Sequence, residues 1–186
     1  MAYGAAKLEL EQSNLDSPKT KQLSYTAATI EVDGVERQTT NSNGKPIHST
    51  EEGLRNFWKW FGDSKVVDAD GKPLVVYRGE RDKFNVFDTR SAKKRGITGR
   101  SGDYFFFTSN QENANFYKDD GTVEQYYINI LNPLEKEGEN PRKVANEAIA
   151  KNFENDGGKD YDGAIILDTL DGIEYSDIYV VFPNSD

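Results

Sequence analysis

The chain has no cysteine among its 186 residues. Disulfides, zinc–thiolate sites and a cysteine nucleophile are therefore excluded. It has one histidine, His48, so a Ser-His-Asp triad or a histidine-rich metal centre would have to rest on that residue. No metal is implied. No apolar run of about 18 residues occurs, so no membrane-spanning helix and no membrane partner are expected. Residues 1–10 lack a basic stretch followed by an apolar one, so no signal peptide is read and a cytoplasmic location is expected. Basic residues are in the minority, 23 Lys and Arg against 32 Asp and Glu, for a net charge of −9. Duplex nucleic acid is a poor partner for such a chain, because binding it needs a basic face. Residues 90–100 are the one strong candidate for a local basic patch.

What is present reads as a folded domain. Aromatics make up 12% and hydrophobic residues 35% of the chain, more than a polar, unfolded chain carries. The length fits one domain with a short extra element. Residues 1–48 read as an N-terminal arm with a helical turn near 5–12, then a hairpin turning at Asp33-Gly34. This part completes the sheet or stands apart from it. The domain proper spans 49–186. Ser49-Thr50-Glu51-Glu52 has capping-box spacing, with Ser49 at the cap. After it, Leu54, Phe57, Trp58 and Phe61 form one apolar stripe that Gly62 ends. That stripe reads as core rather than as a ligand platform.

Residues 65–67 and 74–77 flank Asp68-Ala69-Asp70-Gly71, a hairpin signal. Phe84, Val86 and Phe87 read as a loop anchor, and 93–100 as a basic loop. Residues 104–107 lack alternation and read as a strand buried on both faces. Ser109 and Glu112 repeat the capping-box spacing before a helix. Residues 122–130 read as a strand, and Asn140-Pro141 opens a third helix with Val144, Ala145, Ala148 and Ile149 on its apolar face. Residues 164–167 and 178–182 read as strands, with 171–177 as an acidic turn between them. Strands and helices mix without βαβ regularity, so the fold class is α+β.

Polar residues collect at three strand ends. Tyr77-Arg78-Gly79 offers a planar cation for phosphate and a glycine that admits close approach. Phe107-Thr108-Ser109 offers hydroxyls, with Tyr104 or Phe107 able to stack on a flat ring. Glu174 and Asp177 precede the last strand, where a carboxylate could face an oxocarbenium-like sugar. Together these suit cleavage between a ribose and a good leaving group. Singly, each has a plainer reading: a surface arginine, a helix cap, ordinary turn acids.

The chain resembles, over 49–182, the ADP-ribosyltransferase-like domains of phage and mobile-element polyvalent proteins. The matching text includes Phe57-Trp58-Lys59-Trp60-Phe61-Gly62-Asp63-Ser64-Lys65, Gly71-Lys72-Pro73-Leu74-Val75-Val76-Tyr77, Phe105-Phe106-Phe107-Thr108-Ser109, Tyr161-Asp162-Gly163 and Tyr179-Val180-Val181-Phe182. The resemblance implies a split β-sandwich with peripheral helices and NAD+ as co-substrate. It implies a mono-ADP-ribosyltransferase acting on a host protein, as toxin, effector or counter-defence factor. Where many relatives have His-Gly-Thr, this chain has Arg78-Gly79-Glu80, like the Arg-Ser-Glu branch in which the arginine holds the NAD phosphates. By the same resemblance Gly79, Tyr104, Phe107, Thr108 and Ser109 join Arg78 around NAD. Strand-to-strand alignment assigns the key carboxylate to Asp177, with Glu174 as the fallback. The alternative is a degenerate module of the same fold that binds and inhibits a host protein.

Overall fold

The computed structural model describes residues 5–7, 28–80, 104–154 and 160–182. The expected anchor (Phe84, Val86, Phe87) and the basic loop at 93–100 lie outside the described residues, as does Gly157-Gly158, whose glycines read as the end of the third helix. Among the described residues, seven strands form one sheet. Its order is β1 (Ala5–Lys7), β6 (Thr122–Ile128), β4 (Val76–Glu80), β5 (Phe105–Thr108), β9 (Glu174–Val181), β8 (Gly163–Asp171), β7 (Pro133–Glu137). Only β7 and β8 run parallel; the other neighbours are antiparallel. Among the described residues three helices accompany the sheet: α1 (Glu51–Phe61), α2 (Gln111–Tyr117) and α3 (Pro141–Glu154). The α+β class and the split sheet match the sequence reading.

A second, two-stranded sheet pairs β2 (Thr29–Val32) with β3 (Val35–Gln38) across Asp33 and Gly34, both at positive φ. That is the backbone of the tight hairpin turn expected there. Helix α1 packs on it through Leu54, Trp58 and Phe61, all buried with Val32. Each such burial contributes about 1.5–3 kcal/mol. Two further contacts fix the helix angle. Trp58 Nε1 donates to the Gln38 carbonyl at 2.9 Å, and Phe57 meets Tyr127 of the large sheet edge-on, with centroids 4.9 Å apart.

Several expectations shift by a residue or more. The α1 cap is Thr50, whose hydroxyl accepts from Gly53 N–H, not Ser49. The α2 cap is Asn110, not Ser109. Residues 5–7 pair with β6 as a strand, where a helical turn was expected. The hairpin at 65–77 reduces to one bridge, Val67 to Pro73, with β4 starting only at Val76. The acidic turn at 171–177 contracts to Gly172-Ile173, and 174–177 are strand. A carboxylate-rich, exposed strand end carries too little apolar signal to announce itself as strand.

The sheet divides the core. On one face Val76, Phe107, Tyr126, Ile165, Tyr179 and Val181 pack together with Val66 and Ile130. On the other, Ala164, Ile166, Ile178 and Val180 receive Val144, Ala145 and Ala148 of α3, the face expected for that helix.

Candidate active site

Strand β5 pairs with β9 through four residues, Phe105 to Thr108, but with β4 through a single pair, Tyr77 and Thr108. Beyond that pair the two strands part. A cavity of about 260 Å3 opens at the parting. Its floor is Tyr77, Arg78 and Gly79 from β4 with Phe106, Phe107 and Thr108 from β5. Its walls are Ala114 and Tyr117 of α2, the start of α3 at Asn140, Pro141 and Arg142, and Asp171 at the end of β8. Four of these residues were candidates from the sequence: Arg78, Gly79, Phe107 and Thr108. Tyr104, Ser109, Glu174 and Asp177 lie outside the cavity.

Strand alternation sorts the side chains. Val76, Arg78 and Glu80 share the face of Tyr126, whose residue pairs with Val76. Arg78 Nη1 donates to the Phe106 carbonyl at 2.8 Å, filling part of the gap that β4 leaves. Its guanidinium carbon lies 5.6 and 5.8 Å from the ring centres of Phe105 and Phe107. Burial pushes its pKa below the ordinary value, and the neighbouring Glu80 carboxylate works against that shift. Glu80 is itself buried and accepts from the Tyr126 hydroxyl. Burial, then that bond, raise the Tyr126 pKa far above normal. The result is a buried Arg78–Glu80–Tyr126 group at the split, in which the Glu80 carboxylate balances the Arg78 cation.

Gly79 faces α2. A β-carbon there would stand 2.3 Å from the Ala114 carbonyl oxygen and 2.7 Å from the Lys118 nitrogen. The glycine thus admits a helix backbone as well as forming part of the cavity floor.

The hydroxyls are committed. Thr108 Oγ1 lies 3.0 Å from Ser176 Oγ and accepts from Asn110 N–H at 3.1 Å. Ser109 Oγ accepts from Asp177 N–H at 3.1 Å, and Ser109 N–H donates to the Asp177 carbonyl. Tyr104 is buried beneath Phe106 and Phe182 in the α3-facing core.

The two candidate carboxylates fall on opposite faces, being three residues apart on one strand. Glu174 lies on the α2 side and accepts from Asn110 Nδ2 at 2.8 Å. Asp177 shares the face of Arg78 and Tyr179; its Oδ1 accepts from Asp168 N–H at 3.1 Å. Asp168 sits at φ 45° in the bulge of β8, so Asp177 also secures that bulge. By register, Arg78 and Asp177 stand on the order of 12 Å apart, two strand spacings across and two residues along.

The match to known proteins falls on this same region. The model of the family described as ADP-ribosyltransferase in polyvalent proteins matches residues 68–185. The chain belongs to that family. The matched part runs from β4 to β9 and includes the whole cavity floor, while β2, β3 and α1 precede it. ADP-ribosyltransferases use NAD+ as co-substrate in general, and the chain carries their domain. Neither the curated proteins nor the solved structures contain a match to it.

Three residues that matter here carried no signal in the sequence reading. Asn113 is fully buried in α2. Its Oδ1 accepts from Ile173 and Glu174 N–H, and its Nδ2 donates to the Glu174 carbonyl and Ser176 Oγ. It ties the β8–β9 hairpin to the helix beside the cavity. Tyr117 donates to Asp171 at 2.7 Å, and burial, then that bond, raise its pKa to about 12. It stays protonated near neutrality. Arg142 is the third; it lies in the first turn of α3, which has no acid.

Among the described residues no helix is long and apolar enough to cross a membrane.

Proposed function

We propose that the chain is an NAD-dependent mono-ADP-ribosyltransferase that modifies a host protein in the cytoplasm, as an effector, toxin or counter-defence factor of a phage or mobile element. The observation that carries this reading is the cavity at the β4–β5 split, with the charge of Arg78 in its floor and aromatic residues beside it. Its size, about 260 Å3 and so just below the range of about 300–1,000 Å3 for whole-ligand pockets, suits part of a dinucleotide. Flat rings suit its aromatic surfaces, and a phosphate suits a desolvated arginine.

NAD supplies the ADP-ribosyl group: the bond from ribose C1′ to the nicotinamide nitrogen breaks, and one from C1′ to an acceptor nucleophile forms. Arg78 binds phosphate, held in place by Glu80 and the Phe106 carbonyl. Phe107 from one face of β5, and Tyr104 through Phe106 on the other, back the ring-binding surface. Gly79 keeps the floor open. Thr108 and Ser109 hold the strands in register around it. Asp177, on the face of Arg78 and outside the cavity, is the carboxylate that strand-to-strand alignment assigns to the ribose hydroxyl and the developing positive charge; Glu174, on the α2 side that walls the cavity, is the fallback.

The deciding experiment supplies NAD and host lysate to the protein and measures nicotinamide release and protein mass. An added ADP-ribose unit on a host protein is expected. Stable capture of a host protein without nicotinamide release would give the function to the rival reading, a degenerate module that binds and inhibits its target. That rival rests on the −9 charge and on the departures in all three motifs.

A further inference from the structure

We propose that Arg142 is a second phosphate-binding residue of the cavity, holding a phosphate of the dinucleotide from the α3 side; the assignment rests on the NAD reading above. Arg142 is exposed and forms part of the cavity wall. Its guanidinium carbon lies 5.8 Å from the centre of the Phe106 ring, and Tyr117 and Asp171 line the same cavity.

The case begins with pairing. Helix α3 carries three basic residues, and two of them are matched to acids one turn away. Lys143 meets Glu139 at 2.8 Å, and Lys151 meets Glu147 at 2.9 Å. Arg142 has no carboxylate partner among the described residues, in a chain where acids outnumber bases. The nearest cavity acid, Asp171, already accepts from Tyr117.

Beyond its contact with the Phe106 ring, stability gives no reason for this placement. A cation in the first turn of a helix opposes the helix dipole, and no acid in that turn offsets it. The helix end itself offers little to a ligand, because Asn140 Oδ1 takes the N–H groups of Arg142 and Lys143 at 3.1 Å each. What remains is a planar, two-pronged donor at the rim of an aromatic cavity, the geometry that suits a phosphate. Arg78, buried and tied to Phe106, is fixed; Arg142 is free to close on a bound anion.

The test compares ligands with and without phosphate. Binding of nicotinamide riboside, nicotinamide mononucleotide and NAD is measured calorimetrically for wild type, Arg142→Ala, Arg142→Lys and Lys143→Ala, with thermal melts beside them. Arg142→Ala is expected to weaken the mononucleotide and NAD about tenfold and to leave the riboside within about twofold. Arg142→Lys should recover part of the loss, and Lys143→Ala should match wild type. Equal weakening of riboside and mononucleotide would mean that Arg142 only shapes the wall through Phe106, and the assignment falls. Unchanged NAD binding in Arg142→Ala overturns it while the NAD reading stands. If wild type binds neither the mononucleotide nor NAD, both fall together.

Discussion

The two sides of strand β5 behave differently. Toward β9 the strand is paired along its length; toward β4 it is paired at one residue. The paired side is ordinary core, with Phe105, Phe107, Tyr179 and Val181 meeting in register. The unpaired side leaves backbone groups that must find other partners. One is satisfied by Arg78, which donates to Phe106. The gap therefore does two things at once: it makes space for a ligand, and it draws a charged side chain into a place where burial makes charge count. A sheet that closed fully would have neither.

The largest expected effect comes from the carboxylate. Asp177→Asn keeps an oxygen that can accept from Asp168 N–H, so the bulge and the fold should survive. Turnover should fall by about a hundredfold or more, with NAD affinity little changed, because the charge acts on the transition state. Nicotinamide release by Asp177→Asn and Glu174→Gln, measured side by side, decides it. A dead Glu174→Gln with an active Asp177→Asn would move the chemistry three residues along and onto the α2 face.

Next is Gly79→Ala, which presses a methyl group against the backbone of α2. Backbone cannot swing away as a side chain can, so a loss of about 3 kcal/mol is expected, near the upper end for overpacking. Denaturant melts measure it. A stable, fully active Gly79→Ala would mean that α2 can lift off the split, and that the cavity is wider in solution.

Arg78→Ala follows. Losing charge-assisted bonds to phosphate should weaken NAD binding by roughly 1.5–3 kcal/mol. Calorimetric titration reads it, with a melt as control. Unchanged affinity in a folded protein would leave Arg78 as a filler of the gap and nothing more.

Much of this arrangement was legible in the sequence, and the illegible parts have physical causes. The α1 stripe and Gly62 stop were plain because spacing and caps are local. The buried character of 104–107 was legible in part: Tyr104 and Phe107 are buried, while Phe105 and Phe106 are half-buried. The caps slipped from Ser109 to Asn110 because the Ser109 hydroxyl is taken by Asp177 N–H, a partner 68 residues away. Arg78 and Thr108 stood out by composition at strand ends. That β4 and β5 would meet at one residue only, and that α2 and α3 would flank the parting, depends on pairing across the sheet. Arg142 and Asn113 belong to that same class: nothing in their neighbourhood marks them until the β8–β9 hairpin and the α3 packing are in place.

The smallest effect is expected at His48, far from the split in sequence and fold. Its exposed ring sits over Gly53, where a β-carbon would come within 2.0 Å of it. Its Nδ1 accepts from Thr50 N–H at 3.1 Å, just outside α1. This bond supports the entry to α1, while Thr50 itself makes the cap. Removing it exposes one N–H to water, which can replace the lost acceptor. His48→Ala should therefore destabilise by less than about 1 kcal/mol, a shift in Tm of roughly 2–4 °C at most. Nicotinamide release should equal that of wild type, since His48 contributes nothing to the cavity. The chain has no other histidine, so a folded His48→Ala protein without activity would demand a histidine-dependent mechanism in place of one built on Arg78 and Asp177.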